Sequence, residues 1–436
     1  MRKLVISKRR TIGNVLLGFV MAVLLTAFCK MDVHAAISVA PSNVHQVDGD
    51  MSEVKFAWKA GTSDTGKTVG YFWQISQDSK FTKVLQYGNV YNETEDRCYN
   101  LGAGKTFYLR VGATEEMFPS SVPKDVKWSK TVRLVTAPNT RVSGLKQMNA
   151  TTSSIKLTWK KAANANEYMI SYRKSAGGSV KEKYTTATSY TIKGLKPGTE
   201  YEVEVIPVKK EANYRAVSDS DRAASGTFLT VAGKLKNLKN QSASNGYAVF
   251  TWKPAGKVDG YQISITSYND SKFKKPILKK KQTILSQSLL ANGIMQITST
   301  KIKKGVFYRA RICSYVKMSD GTLRYSADSD LIFGSHPNKV SAKWNKQYID
   351  IKWSKVKEAT SYVIYVSDGS KTIKEATVGK NATKYTLKKY KKKKLNVNKP
   401  YYITVEPIKK VRGKTYHTAN GISGYDTMVF KVNSIY

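Results

Sequence analysis

The chain has 436 residues, of which 41% are hydrophobic and 24% charged, and it carries a formal net charge of +42. Its three cysteines are too few for the disulfide framework of a small secreted scaffold, and no pair of its four histidines has metal-ligand spacing. The strongly basic balance concerns solubility and partners rather than the fold.

Residues 1–36 are predicted to be a secretory signal peptide and not part of a domain. A basic start precedes an apolar run from Ile12 to Phe28, and small residues up to Ala36 offer a cleavage site. An uncleaved N-terminal membrane anchor is the alternative, although the apolar run is near the lower length limit for spanning a bilayer. A lipid attachment at Cys29 is disfavoured because the bulky Phe28 precedes it.

From residue 37 onwards one pattern of alternating apolar and polar residues is repeated four times. The period of two predicts strands with one buried face. Each copy has a Trp that ends an alternating run, a Tyr that opens the next run, and an aromatic residue preceded three positions earlier by Gly104, Gly198, Gly305 or Asn398. Gly and Asn tolerate a left-handed backbone, so these positions predict a tight corner. The landmarks are Trp58, Trp159, Trp252, Trp353, Tyr168, Tyr261, Tyr362, Tyr201, Tyr308 and Tyr401, with Tyr71 and Phe107 in the first copy.

These landmarks, and above all the L-x-P-G-x-x-Y corner from Leu195 to Tyr201, resemble the fibronectin type III family. The resemblance implies an all-β chain of four tandem immunoglobulin-like β-sandwiches, and such modules carry no common chemistry. In the first unit Phe107 lacks a hydroxyl, so packing alone is expected to hold that corner. The predicted domains are a divergent unit at 37–137, further units at 138–232 and 233–336, and a lysine-rich unit at 337–436.

The junctions between these units are predicted to be short and semi-rigid. Trp128–Val135 is predicted to be the last strand of the first unit, and Pro138 marks the boundary after it. The Asp368–Gly369 pair predicts a hairpin turn in the fourth unit.

No catalytic site, cofactor or metal is predicted. The sequence contains none of the nucleophile-elbow, zinc-protease or phosphate-loop motifs. Cys98 and Cys313 remain after cleavage and lie in different units, so neither has an intradomain partner. Cys98 sits in a polar stretch that allows exposure, and we interpret it as a tolerated thiol and not a reactive one.

Positive charge rises along the chain. Counting Lys and Arg against Asp and Glu gives +1 for residues 36–137, +7 for 138–233, +13 for 234–337 and +16 for 338–436. A rod with a neutral end and a cationic end suits attachment to an anionic polymer. Lysine outnumbers arginine, which favours diffuse contact over specific phosphate recognition.

Two lysine clusters are the candidate polyanion-binding residues. The alternative is that both are solvated loops. Because the predicted signal peptide implies export, the partner is expected to be an anionic polymer of a bacterial cell envelope and not a specific nucleic acid. The candidates are Lys388, Lys389, Lys391, Lys392, Lys393 and Lys394 in the fourth unit, and Lys279, Lys280 and Lys281 in the third.

Aromatic residues of the near-neutral first unit support a second hypothesis. Trp73, Tyr87, Tyr91 and Tyr99 exceed what the repeat needs, and rings stack on sugars as well as in cores. The alternative is that they are extra core and edge-strand residues. The sequence thus predicts a monomeric, secreted, non-catalytic adhesion or spacer protein of the cell surface, contacting a glycan, matrix or protein, with a carbohydrate-binding accessory protein as the rival.

Overall fold

The alternating runs of the sequence form antiparallel strands that bury one face. In the strand Ser154–Lys160, the side chains of Ile155, Leu157 and Trp159 are buried and those between them are not. Such a period of two is what a strand lying on a core produces. The computed structural model describes residues 37–212, 214–244, 246–283, 293–418 and 426–430. The predicted signal peptide therefore lies outside the described residues.

The first sandwich contains ten strands. They are β1 (Ile37–Val39), β2 (Ser42–Gly49), β3 (Val54–Lys59), β4 (Thr62–Ser63), β5 (Gly70–Ser76), β6 (Val84–Tyr91), β7 (Glu95–Cys98), β8 (Thr106–Thr114), β9 (Lys127–Trp128) and β10 (Val132–Val135). One sheet has the order β2-β3-β7 and the other the order β10-β8-β5-β6, with β9 paired to β8 and a separate β1-β4 pair.

The second sandwich repeats this plan. Its strands are β11 (Ser143–Ala150), β12 (Ser154–Lys160), β13 (Glu167–Lys174), β14 (Lys181–Thr185), β15 (Ser189–Lys193), β16 (Glu200–Glu211), β17 (Tyr214–Val217) and β18 (Ala224–Leu229), with a 3-10 turn at Ser220–Arg222. The sheet orders are β11-β12-β15 and β14-β13-β16-β17, and β18 pairs with β16.

The third sandwich has the same topology as the second. Its strands are β19 (Lys236–Ser244), β20 (Tyr247–Lys253), β21 (Gly260–Ser267), β22 (Leu278–Thr283), β23 (Ile294–Thr298), β24 (Phe307–Lys317), β25 (Leu323–Tyr325) and β26 (Ser329–Gly334). They form sheets in the orders β19-β20-β23 and β22-β21-β24-β25, with β26 paired to β24.

The fourth sandwich adds a small hairpin to the plan. Its strands are β27 (Val340–Asn345), β28 (Tyr348–Trp353), β29 (Ser361–Ser367), β30 (Thr372–Gly379), β31 (Lys384–Leu387), β32 (Lys389–Tyr390), β33 (Lys393–Lys394), β34 (Tyr401–Val411), β35 (Lys414–Tyr416) and β36 (Thr427–Val429). The sheets run β27-β28-β31 and β30-β29-β34-β35, β36 pairs with β34, and β32 pairs with β33. The predicted all-β class with four tandem sandwiches is confirmed.

Each sandwich has its own apolar core between its two sheets. In every core the landmark Trp packs against the Tyr that follows it. The ring centroids are 5.3 Å apart for Trp58 and Tyr71, 5.4 Å for Trp159 and Tyr168, 4.7 Å for Trp252 and Tyr261, and 5.6 Å for Trp353 and Tyr362. Among the described residues, no helix is long and apolar enough to cross a membrane.

A tyrosine closes the corner in the last three sandwiches. The backbone N–H of Lys196 donates to the hydroxyl of Tyr201 at 2.9 Å. Tyr308 accepts from the N–H of Lys303 at 3.0 Å and Tyr401 from that of Asn396 at 2.9 Å. The first sandwich has Phe107 here, buried but without a hydroxyl to accept such a bond.

The glycine of each corner also meets the next sandwich. Gly104, Gly198 and Gly305 have φ values of 63°, 55° and 76°, in the left-handed region. The Gly198 carbonyl accepts the N–H of Lys257 at 2.8 Å, and the Gly305 carbonyl accepts that of Lys357 at 3.3 Å. These two partners lie in the loops that follow the landmark Trp of the third and fourth sandwiches. Glycine is needed here for conformation and for close approach together.

The first corner is packed just as closely. A Cβ atom on Gly104 would lie 2.5 Å from the Cβ of Asn164 in the second sandwich. In contrast, Asn398 does not have a positive φ, so the left-handed backbone predicted there is wrong. Its neighbour Asn396 instead uses its side chain to accept the Asn398 N–H at 2.9 Å.

The stretch predicted as one final strand of the first sandwich is two strands, Lys127–Trp128 and Val132–Val135. Ser129 lies at the interruption. Its N–H donates to the Val111 carbonyl at 2.8 Å, and its hydroxyl accepts the Val111 N–H at 3.1 Å. The serine side chain therefore takes over one bond of the ladder and lets the strand break.

Candidate polyanion-binding surface

The lysine run of the fourth sandwich forms a hairpin and not an open loop. Lys389 pairs with Lys394 and Tyr390 with Lys393. The two residues at the tip, Lys391 and Lys392, have φ values of 50° and 63°. Positive φ at both central residues is the geometry of a type I′ turn, which normally favours Asn and Gly. The side chains of all six lysines predicted here are exposed. We call residues 388–394 the lysine hairpin.

Tyr390 anchors the lysine hairpin to the core. Its side chain is only 6% exposed, and its ring packs edge-on against Tyr401 with centroids 5.6 Å apart. Its hydroxyl donates to the Asp368 carboxylate at 3.0 Å and lies against the carbonyl oxygen of Lys371. A buried ring in the middle of the run therefore fixes where the lysines are presented.

One carboxylate lies at the base of the hairpin. Asp368 accepts from the Ser370 hydroxyl and from Tyr390, and these bonds hold its pKa well below the usual range for an aspartate. The ammonium of Lys391 is 3.7 Å from this carboxylate and 4.8 Å from the Tyr390 ring. Among the described residues, no other lysine of the hairpin forms an ion pair, so the hairpin keeps most of its positive charge.

The second cluster lies on an edge strand. Lys279, Lys280 and Lys281 are exposed residues of β22, where they pair with Ser264, Ile263 and Gln262 of β21. Charged side chains on an edge strand also prevent other chains from adding to the sheet. The equivalent strand β14 of the second sandwich likewise carries lysines, at 181 and 183. The lysines of β22 therefore have a structural role that needs no ligand.

The four aromatic residues singled out in the first sandwich divide between core and surface. Trp73 belongs to the core, and its indole N–H donates to Asp96 at 2.5 Å. Tyr91 is half-buried beside Phe118. Tyr99 is 53% exposed and Tyr87 57%. Only Tyr87, Tyr91 and Tyr99 are thus available to a ligand, and the sequence did not distinguish them from Trp73.

Tyr87 belongs to a cluster of rings that the sequence analysis missed. It stacks on buried Phe72 with centroids 5.5 Å apart, and Phe72 packs edge-on against Trp128 at 6.2 Å. The guanidinium of Arg110 lies 4.2 Å from the rings of both Trp128 and Phe81. These residues cover the outer face of the sheet containing β5, β6 and β8. The alternation of Phe72 with core residues Tyr71 and Trp73 is the signal that could have placed it there.

Arg110 is held in this cluster by Gln74. The guanidinium donates two hydrogen bonds to the Gln74 side-chain oxygen, at 3.0 and 2.6 Å. Burial lowers the pKa of Arg110. The third sandwich repeats the cation-ring contact, with Arg311 lying 4.1 Å from the ring of Phe273. Phe81 and Phe273 each end a tetrapeptide Asp-Ser-Lys-Phe, at 78–81 and 270–273. This repeat is visible in the sequence.

Cys98 and Cys313 are both buried, so the exposure that the polar stretch around Cys98 allowed does not occur. Cys98 is 1% exposed and its thiol donates to Gln86 at 2.9 Å. Burial raises the pKa of Cys98 and of Cys313 to about 12 in each case. Cys98 ends β7 facing the core, which its polar neighbours did not reveal. Over the described part of the chain, no three His, Cys, Asp or Glu side chains are grouped to hold a metal ion.

Comparison with known proteins gives one family match. Residues 140–219 match the model of the Fibronectin type III domain. A collagen alpha-1(XII) chain from Notophthalmus viridescens is 33% identical over 124 residues, which are 28% of this chain and 13% of that protein. Tenascin from Gallus gallus is 31% identical over 163 residues, or 36% of this chain and 9% of that protein. Neogenin from Homo sapiens is 24% identical over 224 residues, which are 48% of this chain and 15% of that protein. The chain thus spans only 9–15% of these relatives.

Two solved structures also align. The FN1-FN3 domains of chicken CNTN1 cover 68% of this chain and 98% of that chain, at 14% identity and a TM-score of 0.24. A two fibronectin type-III domain segment from chicken tenascin covers 44% of this chain and 99% of that chain, at 20% identity and a TM-score of 0.24. Such low TM-scores support no conclusion about this chain. The family match and the repeated sheet topology agree on tandem fibronectin type III-like sandwiches.

Proposed function

We propose that this chain of tandem fibronectin type III-like sandwiches is a non-catalytic binding or spacer protein, exported to a bacterial cell surface and retained there on anionic envelope polymers. The observation that carries the proposal is the lysine hairpin. Its backbone is anchored by buried Tyr390 and its lysines are exposed. In the part of the chain that the structure describes, Lys391 is the only one of the six that forms an ion pair. The relatives are named as collagen, tenascin and neogenin proteins, which favours binding or spacing over catalysis.

The electrostatics favour diffuse binding to a polymer. Exposed ammonium groups act as point charges, whereas bidentate recognition of single phosphates favours arginine. Each exposed contact contributes about 1 kcal/mol or less, so retention requires several at once. The lysine hairpin provides six lysines on one short segment, and the lysines of β22 add to the field if the polymer reaches the third sandwich.

The test is binding of the mature chain to purified cell walls, with and without their anionic polymers, over a salt series. Binding should require the polymer and weaken as salt rises, because exposed charges are screened within about 8 Å at physiological ionic strength. A triple variant, Lys389→Gln, Lys392→Gln and Lys394→Gln, should bind less tightly than the parent. Lys391 is left in place because of its contact with Asp368.

The matched control removes the same charge from the same sandwich. Lys339, Lys343 and Lys352 are exposed and lie outside the hairpin. Their triple Gln variant should retain most of the binding. Equal loss in both triple variants would show that only total charge matters, and binding that ignores salt and polymer would rule out electrostatic retention.

A second candidate function is carbohydrate binding by the first sandwich. Tyr87 is half-exposed while its ring is stabilised by stacking on Phe72, so one face of a rigid aromatic group is available to a sugar. On a glycan array, Tyr87→Ala should abolish a sugar signal. Tyr99→Ala is the control, because Tyr99 is equally exposed and stacks on no ring among the described residues. A signal that survives Tyr87→Ala would contradict this assignment.

A further inference from the structure

The second sandwich contains a cavity at the end where β13 turns into β14. The residues between β13 and β14 and the segment that follows β15 enclose about 260 Å³. Its floor is formed by Leu195 and by the buried rings of Tyr172 and Tyr201. On the same measure a single water needs only about 10–15 Å³. The cavity therefore has room for a small polar group together with part of the molecule that carries it.

The wall of this cavity is cationic. Five basic side chains line it and no acidic side chain does; they are Arg173, Lys174, Lys181, Lys193 and Lys196. Arg173 is paired with Glu202 at 2.8 Å. Within the described residues, none of the four lysines has a carboxylate at ion-pair distance. Four lysine charges without an acidic partner around one concave space favour a multivalent anion.

The backbone that carries these lysines is fixed on both sides. On one side, the N–H of Lys196 donates to the hydroxyl of Tyr201 at 2.9 Å. On the other, the N–H of Ser175 donates to the Glu200 carbonyl at 3.1 Å. The lysines therefore start from rigid positions, which lowers the entropic cost of gathering them around a ligand.

The same place in the fourth sandwich is filled. Leu195 follows the buried Ile192 by three residues, whereas its counterpart Leu395 follows the buried Leu387 by eight. The extra residues belong to the lysine hairpin. Its Tyr390 reaches across to the Asp368 turn and closes the space. The second sandwich has neither the tyrosine nor the aspartate, so it keeps both the opening and the positive charge.

We propose that this cavity of the second sandwich binds a single phosphate group. Lysine ammonium groups are suitable point-charge partners for phosphate, whose several oxygens accept from more than one of them. The lysine charges act on a ligand that lies within the cavity, where less water surrounds it than on an open surface, so the attraction is screened less. The site does not depend on the lysine hairpin or on the lysines of β22. The phosphate could be a free ion or a phosphodiester of a polymer, and the two sources are separable.

The experiment is equilibrium dialysis of the mature chain with radiolabelled orthophosphate at constant ionic strength. The parent should show one saturable site. The double variant Lys193→Gln and Lys196→Gln should bind about tenfold more weakly, since it removes two of the four free charges. The control is Lys156→Gln with Lys183→Gln, two exposed lysines of the same sandwich that do not line the cavity. The single variant Lys181→Gln gives an independent check from the other wall.

The outcomes separate the alternatives. Absence of a saturable site in the parent, or equal loss in the cavity and control variants, overturns the proposal, and so does displacement by acetate as effective as by phosphate. Competition by dimethyl phosphate assigns the site to a polymer phosphodiester, and failure of that competitor assigns it to free phosphate. Hydrogen exchange of the second sandwich should be unchanged in the variants. The two proposals are tested separately. The triple variant of the lysine hairpin should lose wall retention and keep phosphate binding, and the cavity double variant should lose phosphate binding and keep wall retention.

Discussion

The first and fourth sandwiches share a fold and differ in the residues that they expose to solvent. Both bury a Trp–Tyr pair between the same two sheets. The first covers the outer face of its larger sheet with aromatic rings and Arg110, and its edge strand β6 carries no charge. The fourth extends one loop into the lysine hairpin. Inward residues thus specify the fold, while outward residues and one insertion specify what each sandwich can bind.

Removing the anchor of the lysine hairpin should have the largest effect. Tyr390→Ala leaves a cavity beside Tyr401 and deletes the bond to Asp368, so the fourth sandwich should lose about 3–5 kcal/mol. The first sandwich has no equivalent residue and should be unaffected. Hydrogen exchange read by mass spectrometry follows each sandwich separately. Unchanged protection of the fourth sandwich would show that the hairpin is not anchored by this ring.

The corner residue should matter at the first sandwich and not at the fourth. Gly104→Ala places a Cβ within 2.5 Å of Asn164 on a left-handed backbone, and we expect a loss of about 1–3 kcal/mol. Asn398→Ala, at an exposed position without positive φ, should cost about 0.5 kcal/mol or less. Chemical denaturation of the two variants measures the difference. Equal effects would mean that the contact with Asn164 is unimportant.

The corner hydroxyl provides a smaller contrast. Tyr401→Phe makes the fourth corner resemble the first, where Phe107 stands. The N–H of Asn396 loses its acceptor, so about 1 kcal/mol should be lost from the fourth sandwich. Local hydrogen exchange at Asn396 should increase most. If exchange there does not change, packing alone holds this corner as well.

We expect the smallest effect from pH. Burial lowers the pKa of His336, but the hydrogen bond and charge of Asp426, 3.1 Å away, outweigh it, so the pKa is raised. Stabilisation by this pair is therefore complete below the unfolded value of about 6.5 and is lost as the pH rises through the folded pKa. Thermal melts of the parent and of His336→Gln should differ at acidic pH and converge at alkaline pH. If the two melting curves do not converge as the pH rises, the pair with Asp426 is not the cause of the difference.

Patterns local to one strand were predictable, and those that depend on a neighbour were not. Alternation and the Trp and Tyr landmarks predicted the sheets and the corners. The lysine run was interpreted as a loop because it lies just before the corner residue Leu395. Lys-Lys is an unusual sequence for a type I′ turn, so the hairpin and the burial of Tyr390 are seen only in the structure. The contact of Gly198 with the third sandwich could not be predicted, because it depends on how two sandwiches are placed relative to each other. The burial of Cys98 was left open because the polarity of flanking residues does not reveal which face of β7 points inward.

The contacts between successive corners have a consequence for how such a chain changes over evolution. At Gly198 and Gly305 the bond to the next sandwich joins one carbonyl to one amide of the backbone. Since no side chain takes part in that bond, the bond itself does not depend on which side chain the residue in the following loop carries, although at Lys257 the side chain adds an ion pair to Glu200 at 2.5 Å. A module can gain an insertion such as the lysine hairpin, or lose one, while its neighbours keep their spacing.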